Sequence, residues 1–150
     1  MFKKLLLVLL LVLTISGCTL FPKDTNKITL DSKYYNEGKY INVTKKDLDK
    51  LTNNNYILYV HNSFCAFKIP CETIFKKYME QNKIDFLSIN IDEYKKTTFY
   101  KKVKYAPTVL VVSKGKIVAF LDAESDDDIN RYQDIDEFTK WIDNYVEKKA

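Results

Sequence analysis

Two cysteines separated by five residues, Cys65 and Cys71, are the residues of this chain whose type and spacing point most directly to chemistry. They lie where an apolar run, residues 56–60, gives way to a segment with helical periodicity, residues 70–81. Two thiols near each other can exchange with a disulfide, form a static disulfide, or stay unjoined. The pair therefore predicts redox chemistry or a structural bond at a strand-to-helix junction.

The spacing limits how these two cysteines can pair. In one regular helix they would differ in height by about 9 Å, whereas a disulfide needs Cα atoms within roughly 7 Å of each other. A bond therefore requires Cys65 to lie outside the helix, in a loop folded back on its start. Pro70 suits the first helical position, because its missing N–H costs nothing there. Cys71 would then be recessed and resolve a mixed disulfide that the more accessible Cys65 forms.

Other candidate ligands are fewer than a metal site requires. His61, the only histidine, lies four residues before Cys65 and would favour its thiolate, although hydrogen bonding at a strand end is its more ordinary role. His61, Cys65 and Cys71 together would supply three zinc ligands, whereas a zinc site needs about four. The acidic residues 124–128 lack the glycine and spacing of the known calcium loop and are predicted to form a solvated loop. No metal or cofactor is therefore predicted.

The amino terminus has the pattern of an export signal. Lys3 and Lys4 precede an apolar run, residues 5–15, which is shorter than the roughly 20 residues of a membrane-spanning helix. Ser16-Gly17-Cys18 follows. Residues 1–18 resemble the lipobox of bacterial lipoproteins, in which the cysteine receives a diacylglyceryl group and becomes the new N-terminus. An ordinary signal peptide or an uncleaved anchor are the alternatives.

This resemblance implies a signal peptide at residues 1–17 and a lipid-anchored tether at residues 18–44. Acyl chains such as palmitate on Cys18 would hold the protein on the extracytoplasmic face of the cell membrane. That compartment permits disulfides, and lipidation of one cysteine leaves an even pair. Loss of Lys3 and Lys4 lowers the net charge from +4 to +2, and the basic residues are dispersed, so nucleic acid is not a predicted partner.

Helical and strand patterns alternate along the rest of the chain. Such alternation implies right-handed parallel crossovers, and a hairpin turning at Lys114-Gly115 adds antiparallel strands. The predicted fold class is therefore α/β, a central mixed sheet with helices on both faces, in one domain of residues 45–150. The predicted elements are a helix beginning at Thr44, strands at 56–60 and 85–91, helices at 70–81 and 92–102, strands at 109–113 and 116–121, a helix at 134–148, and possible edge strands at 28–30 and 40–43.

The stretch from about Lys45 to Lys149 resembles proteins of the thioredoxin superfamily. The resemblance is carried by the strand that runs into a cysteine-bearing helix start, by Ile89-Asn90-Ile91-Asp92 at a strand end, and by Ala106-Pro107-Thr108 before a hairpin. In the family, the residue at Pro107 is a cis-proline packed beside the redox cysteines. The resemblance implies that Cys65 and Cys71 are catalytic, that Ala106 and Pro107 shape a substrate groove, and that no cofactor takes part.

The sequence also departs from the family's Trp-Cys-x-x-Cys motif. Phe64 stands at the tryptophan position, and the cysteine spacing is longer. If Cys65 matches the first family cysteine, the loop has three extra residues. If Ile69-Pro70-Cys71 matches the end of the motif, Lys68 occupies the nucleophile position and the ordinary dithiol is missing. Residues 56–60 carry no counterpart of the buried acid that the family often places in this strand.

Two functions follow as hypotheses. The first is a monomeric thiol–disulfide oxidoreductase with a redox-active centre, whose partners are exported protein substrates or a membrane redox partner. The second is a non-catalytic binding or accessory module, for example in bacteriocin or protein export, in which the disulfide is structural.

Overall fold

A five-stranded mixed sheet organises the residues described by the structure, a computed structural model that covers residues 27–62 and 69–149. The sheet order is β1-β3-β2-β4-β5. β1 and β2 run parallel to β3, β4 is antiparallel to β2, and β5 is antiparallel to β4. These pairings confirm the predicted mixed sheet with a terminal hairpin. The strands are β1 (Tyr40–Asn42), β2 (Asn55–His61), β3 (Phe86–Asn90), β4 (Thr108–Ser113) and β5 (Lys116–Phe120).

Helices cover both faces of this sheet. On one face, Phe75 of α2 lies between Tyr59 of β2 and Phe138 of α5, with ring centroids 5.3 Å and 4.8 Å away. On the other face, Leu51 after α1 borders a groove with Leu87 of β3. The helices are α1 (Lys45–Leu48), α2 (Cys71–Asn82), α3 (Ile91–Tyr94), α4 (Asp126–Gln133) and α5 (Ile135–Ile142), with 3₁₀ turns at Ser32–Tyr34, Asp49–Leu51 and Thr98–Lys101.

The core explains why these segments form as they do. Ile57 and Leu58 of β2 and Val109 to Val112 of β4 are fully buried, as expected for central strands covered on both faces. On α2 the buried residues recur at helical spacing, which confirms the predicted stripe. They are Cys71, Ile74, Phe75, Tyr78 and Met79. The hairpin turn is also confirmed, because Lys114 and Gly115 both adopt positive φ, as a tight two-residue turn requires.

The acidic residues 124–128, predicted to form a solvated loop, instead lead into α4. Asp126, Asp127 and Asp128 occupy its first turn, where carboxylates interact favourably with the helix dipole. Asp128 is only 8% exposed and accepts hydrogen bonds from the Asp122 backbone N–H and the Arg131 guanidinium. The acidic residues therefore begin a helix that was not predicted, whereas the predicted terminal helix, residues 134–148, forms only over Ile135–Ile142 as α5. Asp134 separates the two helices and caps α5 by accepting from two backbone N–H groups.

Two further predictions need correction. The segment 92–102 is not one helix, since α3 covers four residues and only a 3₁₀ turn follows. The boundary between tether and domain at residues 44 and 45 is too late, because Leu30 and Tyr34 are 2% and 3% exposed and β1 forms a sheet edge. The edge strand predicted at 40–43 is confirmed over Tyr40–Asn42, whereas Ile28 makes an isolated bridge with Val146.

None of the helices in residues 27–62 and 69–149 combines the length and the apolar character needed to cross a bilayer.

Candidate functional site

The predicted site lies where β2 ends and α2 begins. Cys71 is the first residue of α2 and is 1% exposed, so it is recessed as predicted. Pro70 precedes the helix as its N-cap residue, with ψ at 119°, rather than occupying the first helical position. Cys65, the other predicted catalytic residue, and Cys18, the predicted lipidation site, lie outside the described residues.

A tyrosine hydroxyl lies beside the Cys71 sulfur. The Tyr59 hydroxyl lies 3.9 Å from the Cys71 Sγ, within hydrogen-bonding distance for sulfur. Tyr59 is 5% exposed, and its ring packs against Phe75 and Tyr40 at centroid distances of 5.3 Å. Burial, and secondly the nearby Cys71, raise the pKa of Tyr59 far above its ordinary value. The hydroxyl therefore keeps its proton and can donate a hydrogen bond to a sulfur anion.

A second tyrosine connects this neighbourhood to Pro107. The Ala106–Pro107 peptide bond is cis, as the family resemblance implies. Tyr132 of α4 donates a hydrogen bond to the Pro107 carbonyl at 3.0 Å. Burial raises the pKa of Tyr132 strongly, and the charge of Cys71 contributes to the increase. Cys71, Tyr132 and Pro107 thus share one buried region between α2, α4 and the start of β4.

Hydrogen bonds fix the residues that flank segment 63–68. Before it, the Asn62 side-chain amide donates to the Ala106 carbonyl at 2.9 Å. After it, the Gln133 side chain bonds both backbone groups of Ile69, accepting from its N–H at 3.1 Å and donating to its carbonyl at 2.8 Å. The two ends of the segment that carries Cys65 are therefore attached to the Pro107 loop and to the end of α4.

Sequence reasoning missed Tyr59, Tyr132 and Gln133 as parts of this site. A polar atom within the apolar run 56–60 was a signal for Tyr59, since a buried phenol needs a partner. Gln133 gave no such signal, because its contact with Ile69 spans 64 residues of sequence.

His61, the suggested modulator of the cysteine thiols, ends β2 and is half-buried. Its ring centroid is 5.8 Å from that of Tyr59. Within residues 27–62 and 69–149, no group of three histidine, cysteine or acidic side chains is arranged to hold a metal ion.

No family model matches the sequence, and no curated protein sequence matches it. Solved structures do. A mutant thioredoxin from Halobacterium salinarum aligns with a TM-score of 0.54 at 20% identity, over 77% of this chain and 97% of its own. Thioredoxin from Schistosoma mansoni aligns with a TM-score of 0.52 at 20% identity, over 74% of this chain and 99% of its own. Spinach chloroplast thioredoxin F aligns with a TM-score of 0.53 at 15% identity, over 78% of this chain and 94% of its own.

The chain has a thioredoxin-like fold. The likeness in structure confirms the resemblance seen in the sequence at the level of fold. At 15–20% identity it shows the fold alone, so the chemistry of this thioredoxin-like domain must be argued from its own residues.

Replacing Tyr59 by phenylalanine tests the hydrogen bond to Cys71. We expect Tyr59→Phe to raise the midpoint of the Cys71 thiolate titration by about 1 pH unit, because a donor to the sulfur anion is lost. The titration would follow thiolate absorbance in a protein whose Cys18 and Cys65 are replaced by serine. Tyr78→Phe is the matched control, since Tyr78 is also buried but its hydroxyl bonds Asp143. An unchanged midpoint would show that Tyr59 does not stabilise the thiolate.

Proposed function

We propose that this protein is a membrane-anchored, extracytoplasmic thioredoxin-like lipoprotein that carries out thiol–disulfide exchange on exported proteins through Cys65 and Cys71. The observation that carries the proposal is the recessed Cys71 at the first residue of α2, beside the Tyr59 hydroxyl. Tyr132, whose pKa is raised by burial and also by the charge of Cys71, donates a hydrogen bond to the carbonyl of the cis-Pro107. A helix start favours a thiolate over a thiol, and a recessed cysteine suits the resolving step.

The reaction proceeds in two exchange steps. The Cys65 thiolate attacks one sulfur of a substrate disulfide, and the released substrate thiolate takes a proton from solvent. Cys71, after losing its proton, attacks the Cys65 sulfur of the mixed disulfide. A Cys65–Cys71 bond forms and the second substrate thiolate leaves. The substrate gains two electrons, and the reverse sequence oxidises a substrate dithiol.

The chain's own residues supply three aids to this reaction. The Tyr59 hydroxyl donates to the Cys71 sulfur while it carries charge. Ala106 and Pro107 border the groove in which a substrate chain lies, and the Asn62 side chain holds the Ala106 carbonyl in place. Residues 1–17 act as the signal peptide, and a lipid on Cys18 keeps the monomer at the membrane, where exported substrates or a membrane redox partner reach it.

The burial of Cys71 also favours a second candidate, a non-catalytic accessory module. A cysteine residue that is 1% exposed suits a disulfide bond that is formed once and never exchanged. In that case the domain would bind another exported protein, and a Cys65–Cys71 disulfide would only close the intervening loop.

The redox potential of the Cys65–Cys71 pair distinguishes the two candidates. We expect a value between about −270 and −120 mV, the range of exchange catalysts, together with turnover in an insulin reduction assay. The Cys65→Ser variant, which lacks the pair, should show no turnover. A potential below about −300 mV without insulin reduction is the signature of a structural disulfide and would overturn the enzymatic proposal.

A further inference from the structure

A polar pocket of about 380 Å³ opens beside the start of α2, next to the proposed redox site. It shares one wall with that site, because Tyr59 both lines the pocket and reaches the Cys71 sulfur. The thiol chemistry proposed above does not use the rest of it. The lining residues are Tyr40, Asn42, Tyr59, His61, Glu72 and Ser88.

The sheet register builds the floor of this pocket. Asn42, Ser88 and Tyr59 are paired across β1, β3 and β2, so their side chains stand in one row on the same face. The central residue of the row is the smallest, which leaves a depression between its neighbours. Ser88 is 6% exposed, and its hydroxyl forms no hydrogen bond to any residue of the described part of the chain. The floor therefore offers a hydrogen-bonding group to a ligand.

Aromatic rings and a carboxylate form the sides. The Tyr40 and Tyr59 rings lie 5.3 Å apart, and the His61 ring lies 5.8 Å from Tyr59. Glu72, in the first turn of α2, is exposed and has no ion-pair partner in residues 27–62 and 69–149. Its backbone carbonyl accepts a hydrogen bond of 3.4 Å from the Tyr40 hydroxyl. Burial, and secondly the charge of Glu72, raise the pKa of Tyr40. The Glu72 carboxylate therefore gives the pocket a negative electrostatic potential.

This set of groups matches the chemistry of an organic cation. A carboxylate attracts an ammonium or guanidinium group, and tyrosine ring faces add cation–π attraction. The Ser88 hydroxyl and the Asn42 amide oxygen accept the hydrogen bonds that such a group donates. An anionic ligand would instead be repelled by the negative charge of Glu72. The volume is at the lower end of ligand pockets, which suits one long side chain.

We propose that the pocket formed by these six residues binds the lysine or arginine side chain of the protein segment presented to the cysteine pair. The identity of that segment as a redox substrate rests on the proposed function, whereas binding of the cation does not. Cys71 must reach the Cys65 sulfur to release a bound substrate, and Glu72 follows Cys71 directly in α2, so a chain bonded to Cys65 would lie within reach of the pocket. The pocket would then select substrates with a basic residue near the exchanging cysteine.

The test uses short cysteine-free peptides that differ at one position. An acetylated, amidated Gly-Lys-Gly peptide should cause saturable NMR shifts at Asn42, Tyr59 and Ser88, and its arginine analogue should do the same. A norleucine peptide of the same length, which keeps the aliphatic stem without the charge, should not. We expect Glu72→Gln to weaken binding of the lysine peptide by at least about fivefold.

Glu80→Gln is the matched control, since Glu80 is an exposed carboxylate further along the same helix and does not line the pocket. It should leave the affinity unchanged. Equal affinity for the norleucine peptide, equal effects of the two variants, or the absence of saturable shifts would overturn the proposal. Since these peptides carry no thiol, their binding is measured separately from insulin reduction, and each idea can fail without the other.

Discussion

Cys71→Ala is expected to abolish multiple-turnover disulfide exchange and to leave a long-lived mixed disulfide between Cys65 and a substrate protein. The first exchange step needs only Cys65, but release of the substrate needs the recessed thiol at the start of α2. Without it, the mixed disulfide can be resolved only by an external thiol. We expect insulin turnover to fall by at least about 100-fold, which corresponds to about 2.7 kcal/mol in the barrier. Trapped complexes would be identified by mass spectrometry after non-reducing separation, with Cys18 replaced by serine.

The stability of this variant must be measured alongside its activity. Cys71 is buried, so alanine leaves a small void and should lower the free energy of unfolding by about 1 kcal/mol. Thr73→Ala is the control for changes near the helix start, because Thr73 is exposed in the same turn. A static disulfide gives a different pattern. Cys65→Ser and Cys71→Ala would then each lower the free energy of unfolding by about 2 kcal/mol under oxidising conditions, and no trapped complex would appear.

The sheet and α2 could be predicted because their signals are local. β2 and β4 are covered on both faces, and a fully buried strand must be a continuous apolar run. The buried residues of α2 repeat at helical spacing, and Lys114-Gly115 supplies the positive φ angles of a tight turn. Each of these features is determined by residues that are close together in the sequence.

The errors occurred where distant contacts determine the structure. The run at 126–128 looks like a solvated loop in the sequence, but it begins α4, whose Tyr132 is buried against Phe75 of α2. Leu30 and Tyr34 belong to the core without any periodic pattern around them. The same holds for the candidate site. That β2 leads to a cysteine was visible, but the approach of the Tyr59 hydroxyl to Cys71 depends on how α2 packs on the sheet.

The loop before β1 shows how strongly such distant contacts hold the fold. Asp85, which is 1% exposed, accepts hydrogen bonds from the backbone N–H groups of Gly38 and Lys39 at 2.8 Å and 2.9 Å. A buried carboxylate is tolerated when its oxygens have such partners. The backbone of this loop lies directly against the C-terminal part of α2, at Met79.

Gly38→Ala is therefore expected to lower the free energy of unfolding by more than about 3 kcal/mol, or to prevent folding. Gly38 has a φ of 82°, which an alanine adopts only with strain. A Cβ at this position would also lie 2.2 Å from the Met79 carbonyl oxygen and 2.6 Å from its carbonyl carbon. Backbone atoms of a helix cannot move aside as a flexible side chain can. Denaturant unfolding at equilibrium would measure the loss.

Gly115→Ala separates strain from contact. Gly115 has a similar φ of 73°, but the nearest atom to an added Cβ is the Thr52 carbonyl oxygen at 3.3 Å. We expect this variant to lose only the cost of the left-handed conformation, about 1–2 kcal/mol. The difference between the two variants then measures the contact of the loop with α2. Equal losses would show that the loop can move away from α2 and that the proximity of Gly38 to Met79 does not stabilise the position of the helix that carries Cys71.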